Sequence, residues 1–503
     1  MPQYFTLSMP FKPSNELQHD IEQGFKLLTI RYNTELKKLK KRYDYLIKTQ
    51  EYEIAKREKH EKTFWEDNNF TKYDFYEFFF RINSFKRAQH PQQNIYDNTI
   101  VSSTMLRALG DHLLSSFDKL LYQNGKDVHP KKISSMTFRG LVQIRYNSQT
   151  QSFEFTHRGR RNIISQKVDI KTDYEIYAFN NPIKEVTIKK QIIRGKEKYF
   201  FHICFRGTPY NKGRELGTNS VGIDPSMLKM FACYSNGEMI EHSLLDKIDE
   251  KSGEICDSKY NSDKYEKLEK KIGVLQTQIN RRRRIENPKF FKENGEINEE
   301  ALNQARLEHP NSDPWKYSKA TIKMRNKVAQ IKRNLALHRK ECHFRLANYI
   351  LSKANTIKVE NNSYKSFQAR AKETTYNANG RPRSKKRFGK SIQKGAPSAF
   401  ITILKNKAAS WGDRVSFSEV GASEACTQFD HTNDEFTKHE LKERVVELSN
   451  GDRVHRDFHA AMNILFFKNT VTKSKKGTKK DSDHFDIEGL REFYSQHREN
   501  MIT

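Results

Sequence analysis

Three carboxylates stand out for the company they keep. Asp224 closes Val221-Gly222-Ile223-Asp224, and Glu360 closes Thr356-Ile357-Lys358-Val359-Glu360. Asp457 opens a helical run within His455-Arg456-Asp457-Phe458-His459-Ala460-Ala461-Met462-Asn463-Ile464. The first two end short apolar stretches that read as buried strands. Singly, each has a plain structural role: a turn residue after a strand, or an N-cap before an Ala-rich run. Together, Asp/Glu/Asp is a donor set for divalent-metal hydrolysis of a phosphodiester. That reaction needs a nucleophilic hydroxide, charge compensation on the non-bridging oxygens and a stabilised leaving oxygen. Two Mg²⁺ ions about 3.5–4 Å apart supply all three. Mg²⁺ takes hard oxygen ligands and keeps several waters, so two or three carboxylates suffice. Without a cation the three would repel one another. A softer metal would call for Cys and His.

The rest of the composition points to a polyanionic partner. In 503 residues, 91 Lys and Arg face 62 Asp and Glu, a net charge of +29. The isoelectric point is near 9.6. Phosphate neutralisation with counterion release is the common use of such an excess. Aromatics make up 12% of the chain, ample for a core and for stacking on unpaired bases. The length implies several domains. Five cysteines, at 204, 233, 256, 342 and 426, include no CxxC pair, a reduced pattern without a disulfide framework. No apolar run approaches the roughly 18 residues of a membrane span. Met1-Pro2-Gln3-Tyr4-Phe5 lacks a signal-peptide pattern. The expectation is a soluble protein in the compartment where nucleic acid resides, cytoplasmic and without a membrane partner.

The elements that must carry the carboxylates follow from periodicity. A short extended stretch, Gln3–Met9, precedes a helical region over 31–125. Within that region Leu36–Lys62 reads as one exposed, charged helix, and Phe75–Ile82 as a local aromatic core. Five strand-like runs follow: Phe138–Tyr146, Ser152–His157, Ile163–Ile170, Pro182–Ile193 and Lys198–Arg206. Their spacing predicts a small β-barrel that the first strand joins, with Arg158, Arg160 and Arg161 in one of its turns.

From Ser220 the pattern changes. Strands are expected at Val221–Ile223, Met230–Ser235 and Met239–His242, the last two joined by a type I′ turn at Asn236-Gly237. Tyr265, Leu268, Ile272, Leu275 and Ile279 form a coiled-coil-like seam, followed by Arg281, Arg282, Arg283 and Arg284. Pro310 and Pro314 break the chain. A second helix with Val328, Ile331, Leu335, Cys342 and Leu346 on one face completes an antiparallel hairpin. A strand at Thr356–Val359, a helix at Ala396–Ser410, a strand at Val415–Val420 and a helix over 457–467 complete the unit. The order β-β-β-α-β-α-β-α is that of the ribonuclease H-like fold, the scaffold of RuvC-type nucleases. There the three carboxylates converge at one end of the sheet. Thr472–Lys480 reads as a Lys-rich linker, and Asp486–Gln496 as a short terminal helix.

These motifs resemble a known family. Val221-Gly222-Ile223-Asp224, Ile357-Lys358-Val359-Glu360 and Arg456-Asp457-Phe458-His459-Ala460-Ala461-Met462-Asn463-Ile464 resemble the three RuvC motifs of TnpB, the RNA-guided nuclease of insertion sequences, and of the miniature type V CRISPR effectors. Arg387-Phe388-Gly389-Lys390-Ser391-Ile392, then Ala396-Pro397 and Phe400, is similar to the stretch after their second motif. The resemblance is specific over about 220–467. It implies an α/β fold with β-barrel and helical segments in two lobes. The expected domains are a β-barrel (wedge) domain at 1–30 and 129–215, a helical recognition domain at 31–128, and a RuvC nuclease domain at 216–470. The last contains a helical insertion at about 260–352 and a degenerate zinc-knuckle-like, target-binding segment at about 421–456. A basic linker and tail follow over 471–503.

The resemblance further implies an Mg²⁺-dependent, RNA-guided DNA endonuclease with Asp224, Glu360 and Asp457 as catalytic and metal residues. Its partners would be a guide RNA, target double-stranded DNA and also single-stranded DNA, recognised beside a short, T-rich flanking motif. Monomeric action is expected. Arg281–Arg284, Arg370, Lys385, Lys386, Arg387 and Lys390 offer basic tracks for the nucleic acid, and the loop over 370–394 suits a lid. Arg444 is a candidate for charge stabilisation at the phosphate, or for a surface role.

Two departures stand out. His459 replaces the usual Asn after the third Asp. The four-Cys zinc knuckle common in the family keeps only Cys426, and a Cys426/His431/His439/His455 set fits no common zinc spacing. No zinc is expected, and Asn450-Gly451-Asp452 should turn a hairpin between Val445–Leu448 and Arg453–His455. Two other functions share these motifs: a guide-dependent DNA binder or repressor without cleavage, and a structure-specific nuclease such as a junction resolvase. The intact carboxylate set argues against the first, and the long helical segment against the second. The motifs do not separate transposon-encoded from CRISPR-associated forms, although the long N-terminal half favours a CRISPR effector or an intermediate.

Overall fold

The computed structural model describes residues 4–77, 103–122, 125, 127–131, 137–139, 144–157, 162–211, 213–256, 262–308, 313–362, 364–367, 373, 388–440, 443–468 and 481–502. The chain divides into two compact units, Met1–Lys212 and Gly213–Thr503.

In the first unit, strand β1 (Tyr4–Phe11) alternates exposed and buried residues, with Phe5, Leu7 and Met9 inward. The helix after it starts at Asn15 rather than near residue 31, because the Ser14 hydroxyl accepts a hydrogen bond from the Leu17 amide. Leu17, Ile21, Phe25, Leu28, Tyr32, Leu36 and Leu39 are its buried stripe. The stretch Leu36–Lys62 is not one exposed helix. The chain breaks after Leu46 and after Arg57, giving helices at Gln50–Arg57 and Glu61–Asp67. These fold back so that Trp65 packs on Tyr43, Tyr52, Phe64 and Phe70. Phe75 is fully buried in the same core. Phe78–Ile82 lies outside the described residues.

The strands of this unit do not close into a barrel among the described residues. They are β2 (Thr137–Arg139), β3 (Ile144–Asn147), β4 (Ser152–His157), β5 (Asn162–Lys167), β6 (Ile183–Ile193) and β7 (Lys196–Arg206). They form a four-stranded sheet, β1-β7-β6-β2, and a separate three-stranded sheet, β3-β4-β5. What reads as one strand, Phe138–Tyr146, is two short ones belonging to different sheets. The sheets meet through side chains instead of a continuous ladder: Phe153 and Phe155 pack on Phe201, ring centroids 4.6 and 6.1 Å away. The first strand joins this set as expected, pairing antiparallel with β7 from Tyr4↔Arg206 to Phe11↔Tyr199. Arg158, Arg160 and Arg161 lie outside the described residues.

The second unit is built on a five-stranded sheet. Its strands are β8 (Asn219–Pro225), β9 (Lys229–Tyr234), β10 (Met239–Ser243), β11 (Ala354–Asn361) and β12 (Ser416–Gly421), in the order β10-β9-β8-β11-β12. β8 runs antiparallel to β9 and parallel to β11, which is parallel to β12. The element order is the expected β-β-β-α-β-α-β-α. The β9–β10 turn differs from expectation. Only Gly237 takes positive φ (84°), and its amide bonds to the Tyr234 carbonyl, a type I turn with a glycine bulge.

The helices Ser262–Glu286 and Lys319–Lys353 pack as the expected antiparallel pair. Tyr265, Ile272, Val328 and Leu335 are buried in their seam, beside Leu268, Leu275, Ile279 and Ile331. Asn287 fastens the turn, exchanging side-chain hydrogen bonds with the Lys316 amide and carbonyl, 2.7 Å each. No helix among the described residues is long and apolar enough to cross a membrane.

Candidate active site

The site begins with strand register. Val359 pairs with Ile223, so Asp224 and Glu360 follow side by side at the carboxyl ends of two adjacent parallel strands. Crevices at such strand ends are the usual ligand sites of parallel sheets. Strand alternation puts Gly222 with Asp224, and Lys358 with Glu360, on one face. The helix Arg456–Leu465 covers that face. A Cβ at Gly222 would lie 2.1 Å from the Ala461 carbonyl oxygen and 2.4 Å from the Leu465 nitrogen. Glycine is therefore required there to let the helix sit on the strand. Lys358 holds the far end: its ammonium donates to the Leu465 and Phe467 carbonyls at 2.9 and 2.6 Å. A cation on the last carbonyls of a helix satisfies groups that have no intrahelical partner. Both fixings set the distance from the sheet to Asp457, at the opposite end of the same helix.

All three carboxylates are buried, at 6%, 6% and 4% exposure for Asp224, Glu360 and Asp457. Their surroundings differ. Asp224 and Glu360 are hydrogen-bonded to one another. Burial pushes the Asp224 carboxyl well above the usual carboxylate range, and the charges of Glu360 and Asp457 push it further. Burial raises Glu360 as well, while hydrogen bonds from Asn362 and Asp224 pull it back. A hydrogen bond between two carboxyls needs a proton on one of them, and the upward shifts favour holding it. The Asp457 carboxylate faces arginines instead. Arg444 donates to its Oδ2 at 2.7 Å, and Arg456 to its Oδ1 at 3.0 and 3.2 Å. Among the described residues, no three His, Cys, Asp or Glu side chains are drawn into one metal-holding group.

The donor chemistry nevertheless fits a hard divalent cation. Two buried, oxygen-only ligands are pressed together with only the Arg456 charge to offset theirs, and a third carboxylate is near enough to be felt. A cation between them would replace the retained proton.

No family model matches the chain, and no curated protein matches it. Among solved structures it is similar to a Cas12f1–sgRNA–target DNA complex determined by cryo-EM, at 12% identity and a TM-score of 0.43, over 92% of this chain and 99% of that one. It is similar to a CRISPR–Cas12f ternary complex at 12% identity and 0.26, over 94% and 100%. It is similar to a Cas12i1 R-loop complex after target DNA cleavage at 9% and 0.30, over 97% and 65%. All lie below 25% identity and a TM-score of 0.5.

The remaining expected residues fall in several places. Arg281, Arg282 and Arg284 are exposed at the end of the long hairpin helix. Arg283 turns inward, its guanidinium 4.7 Å from the Trp315 ring centroid, and helps to build the turn. Lys390 is exposed in the first turn of the helix Gly389–Gly395. Arg444 is 61% exposed along its side chain while touching buried Asp457, so it lines the mouth of the site. Arg370, Lys385, Lys386 and Arg387 lie outside the described residues.

Sequence reasoning missed Lys358, Arg456, Asn362 and Tyr364 as parts of the site. Tyr364 donates to the Pro225 carbonyl at 2.6 Å and sits close enough to Asp224 and Glu360 to feel their charge. A lysine inside an otherwise apolar strand was the one available signal for Lys358.

Proposed function

We propose that this protein is an RNA-guided DNA endonuclease with a single RuvC-type, ribonuclease H-like site. Asp224, Glu360 and Asp457 would hold two Mg²⁺ ions. The observation that supports this most is the level pair of buried, proton-retaining carboxylates at adjacent parallel strand ends, with a third on the helix seated over them. These are the three residues that the motif resemblance names. Bound Mg²⁺ would supply a nucleophile at neutral pH and charge compensation on the phosphate.

The chain's own residues then have distinct tasks. Gly222 and Lys358 fix the height of the helix over the sheet. Arg456 orients the Asp457 carboxylate from inside. Arg444 reaches the same carboxylate from the solvent side, where its remaining donors face an incoming strand. A planar guanidinium suits paired hydrogen bonds to phosphate oxygens. The exposed Arg281, Arg282 and Arg284, with the net charge of +29, supply phosphate affinity but no sequence information. Addressing therefore comes from base pairing with a guide, together with contacts to a short, T-rich flank.

The test is cleavage of duplex DNA with a randomised flank, with and without guide RNA, by the parent and by Asp224→Ala. The parent should cut only with guide and beside a preferred flank. Asp224→Ala should bind the guided target and not cut it. Equal cutting without RNA, or near-parent cutting by Asp224→Ala, would refute the reading.

A further inference from the structure

The segment 421–456 is where the family resemblance implies zinc, and its residues do not fit that ion. Cys426 is buried in an apolar cluster with Val446 and Leu448, and Asn463 donates to its carbonyl at 2.9 Å. His431 Nδ1 pairs with His459 Nε2 at 3.1 Å. His455 packs its ring against Phe231 and Phe458. His439 lies beside Glu443. His431 Nε2 and His455 Nδ1 are buried without a hydrogen-bond partner, yet among the described residues no three of these Cys, His, Asp or Glu side chains gather into a group that could hold a metal.

A different device joins the two halves of this segment. We propose that residues 481–502 act as a protein brace in place of a zinc ion, and that the brace positions Arg444 and Asp457 for the reaction. This rests on the function proposed above.

The brace grips the segment at both halves. On the first half, the Phe485 ring stacks on Phe429 at 4.1 Å and 7°. Arg491 donates to the His431 carbonyl at 2.8 Å and to Asp434 at 2.9 Å. His484 pairs with Glu424 at 2.7 Å. On the second half, buried Asp452 accepts from the Tyr494 hydroxyl at 2.9 Å and from Arg498 Nε at 2.8 Å, with Arg498 Nη2 on its other oxygen. Val454 and Ile502 form a β-bridge. Leu490, Phe493 and Met501 share one buried cluster with Cys426, Val446 and Leu448. A structural zinc does the same job by tying ligands from two short loops. Here the ties are charge-assisted hydrogen bonds, a ring stack and apolar burial.

The link to chemistry runs through one hairpin. Asp452 sits in the turn between two paired strands, Val445–Glu447 and Arg453–His455. Gly451 there has φ of 87°, and its amide bonds to the Leu448 carbonyl at 2.9 Å. Arg444 directly precedes the first strand, and Arg456 and Asp457 directly follow the second. The Arg456 amide donates to the Arg444 carbonyl at 2.8 Å, closing the hairpin's base. The base lies about 10 Å from the tip, three residues of strand away. Holding the tip thus fixes where Arg444 and Asp457 stand.

The test uses the full chain and four readouts. Zinc per chain is measured after purification. Hydrogen exchange over 421–456, single-turnover cleavage and guided DNA binding are measured for the parent, Arg498→Gln, Asp452→Asn and Arg498→Lys. The brace requires far less than one zinc per chain. It also requires about ten- to a hundredfold faster exchange in 445–455 for Arg498→Gln and Asp452→Asn, with Arg498→Lys between them and the parent. Cleavage should fall about 10–100-fold in the first two with guided binding retained. One stoichiometric zinc, or parent-like exchange in both neutralised variants, would overturn the brace. Faster exchange with unchanged cleavage would overturn the positioning role. If the parent does not cleave at all, exchange and zinc content still decide the brace, and the failure belongs to the proposed function.

Discussion

The sheet end and the helix start that together form the site handle buried charge in opposite ways. On the sheet, Asp224 and Glu360 face one another, among the described residues only the Arg456 charge reaches Asp224, and both carboxyls are pushed up. On the helix, Asp457 is as deeply buried but has Arg444 and Arg456 on its two oxygens. The sheet pair is thus a seat built for a cation that the protein itself does not provide. The helix residue is held in place whether or not one arrives. A buried charge costs several kcal/mol unless paired, so the pair is tolerated only because a proton or a metal neutralises it.

The largest test of this contrast neutralises one carboxylate at a time. Asp224→Asn, Glu360→Gln and Asp457→Asn should each reduce guided cleavage to background. Their stabilities in chelator should diverge. The first two relieve repulsion and should raise the melting temperature by about 2–4 °C. Asp457→Asn loses charge-assisted bonds of about 1.5–3 kcal/mol and should lower it. Calorimetry in EDTA decides, and a fall for all three would contradict the contrast. Added Mg²⁺ should raise the melting temperature of the parent but not of Asp224→Asn.

Arg444 comes next. Arg444→Ala should cut cleavage about 10²–10³-fold, comparable to removing one donor aimed at developing charge. Its exposure means that stability should change little. A cleavage rate within twofold of the parent would return Arg444 to a surface role.

Lys358 should matter less, through geometry alone. Lys358→Met keeps the bulk and leaves the Leu465 and Phe467 carbonyls without their donor. Cleavage should drop about 10–100-fold, as for other residues that support a metal ligand. The Mg²⁺ concentration for half-maximal rate should rise, whereas a loss of stability alone, with an unchanged Mg²⁺ profile, would deny the positioning role.

The smallest expected effect is on pH. The sheet pair's folded pKa values lie above the unfolded ones of about 4. Its stability contribution in chelator is therefore fully present below about pH 4 and is lost as pH rises through the folded values. His343 works in the other direction. Burial holds it at about 4 instead of 6.5, and its ring bonds to the Gly395 carbonyl at 3.0 Å. Its contribution is present above the unfolded pKa and is lost as pH falls toward 4. The stability advantage of Asp224→Asn over the parent should therefore widen as the pH rises above the ordinary carboxylate range of about 4. A pH-independent difference would show that the pair does not retain its proton.

Much of this was written in local pattern. Short apolar runs ending in Asp224 and Glu360, the 3-and-4 seam from Tyr265 to Ile279, and Asn450-Gly451-Asp452 between two short strands are short-range signals, and each formed as read. The rest depended on residues far apart in the chain. Lys358 meets Leu465 across 107 positions, and Asp452 meets Arg498 across 46. No periodicity encodes such pairs. Sheet closure was equally illegible, because strand length and spacing are alike in a barrel and in two stacked sheets, and only the partner of each edge tells them apart. The sequence by itself determined which side chains could do chemistry and on what elements they ride. Tertiary packing alone decided which carboxylates lie face to face, because the pairing of strands far apart in the chain set Asp224 beside Glu360 while Asp457 found its arginines nearby in sequence.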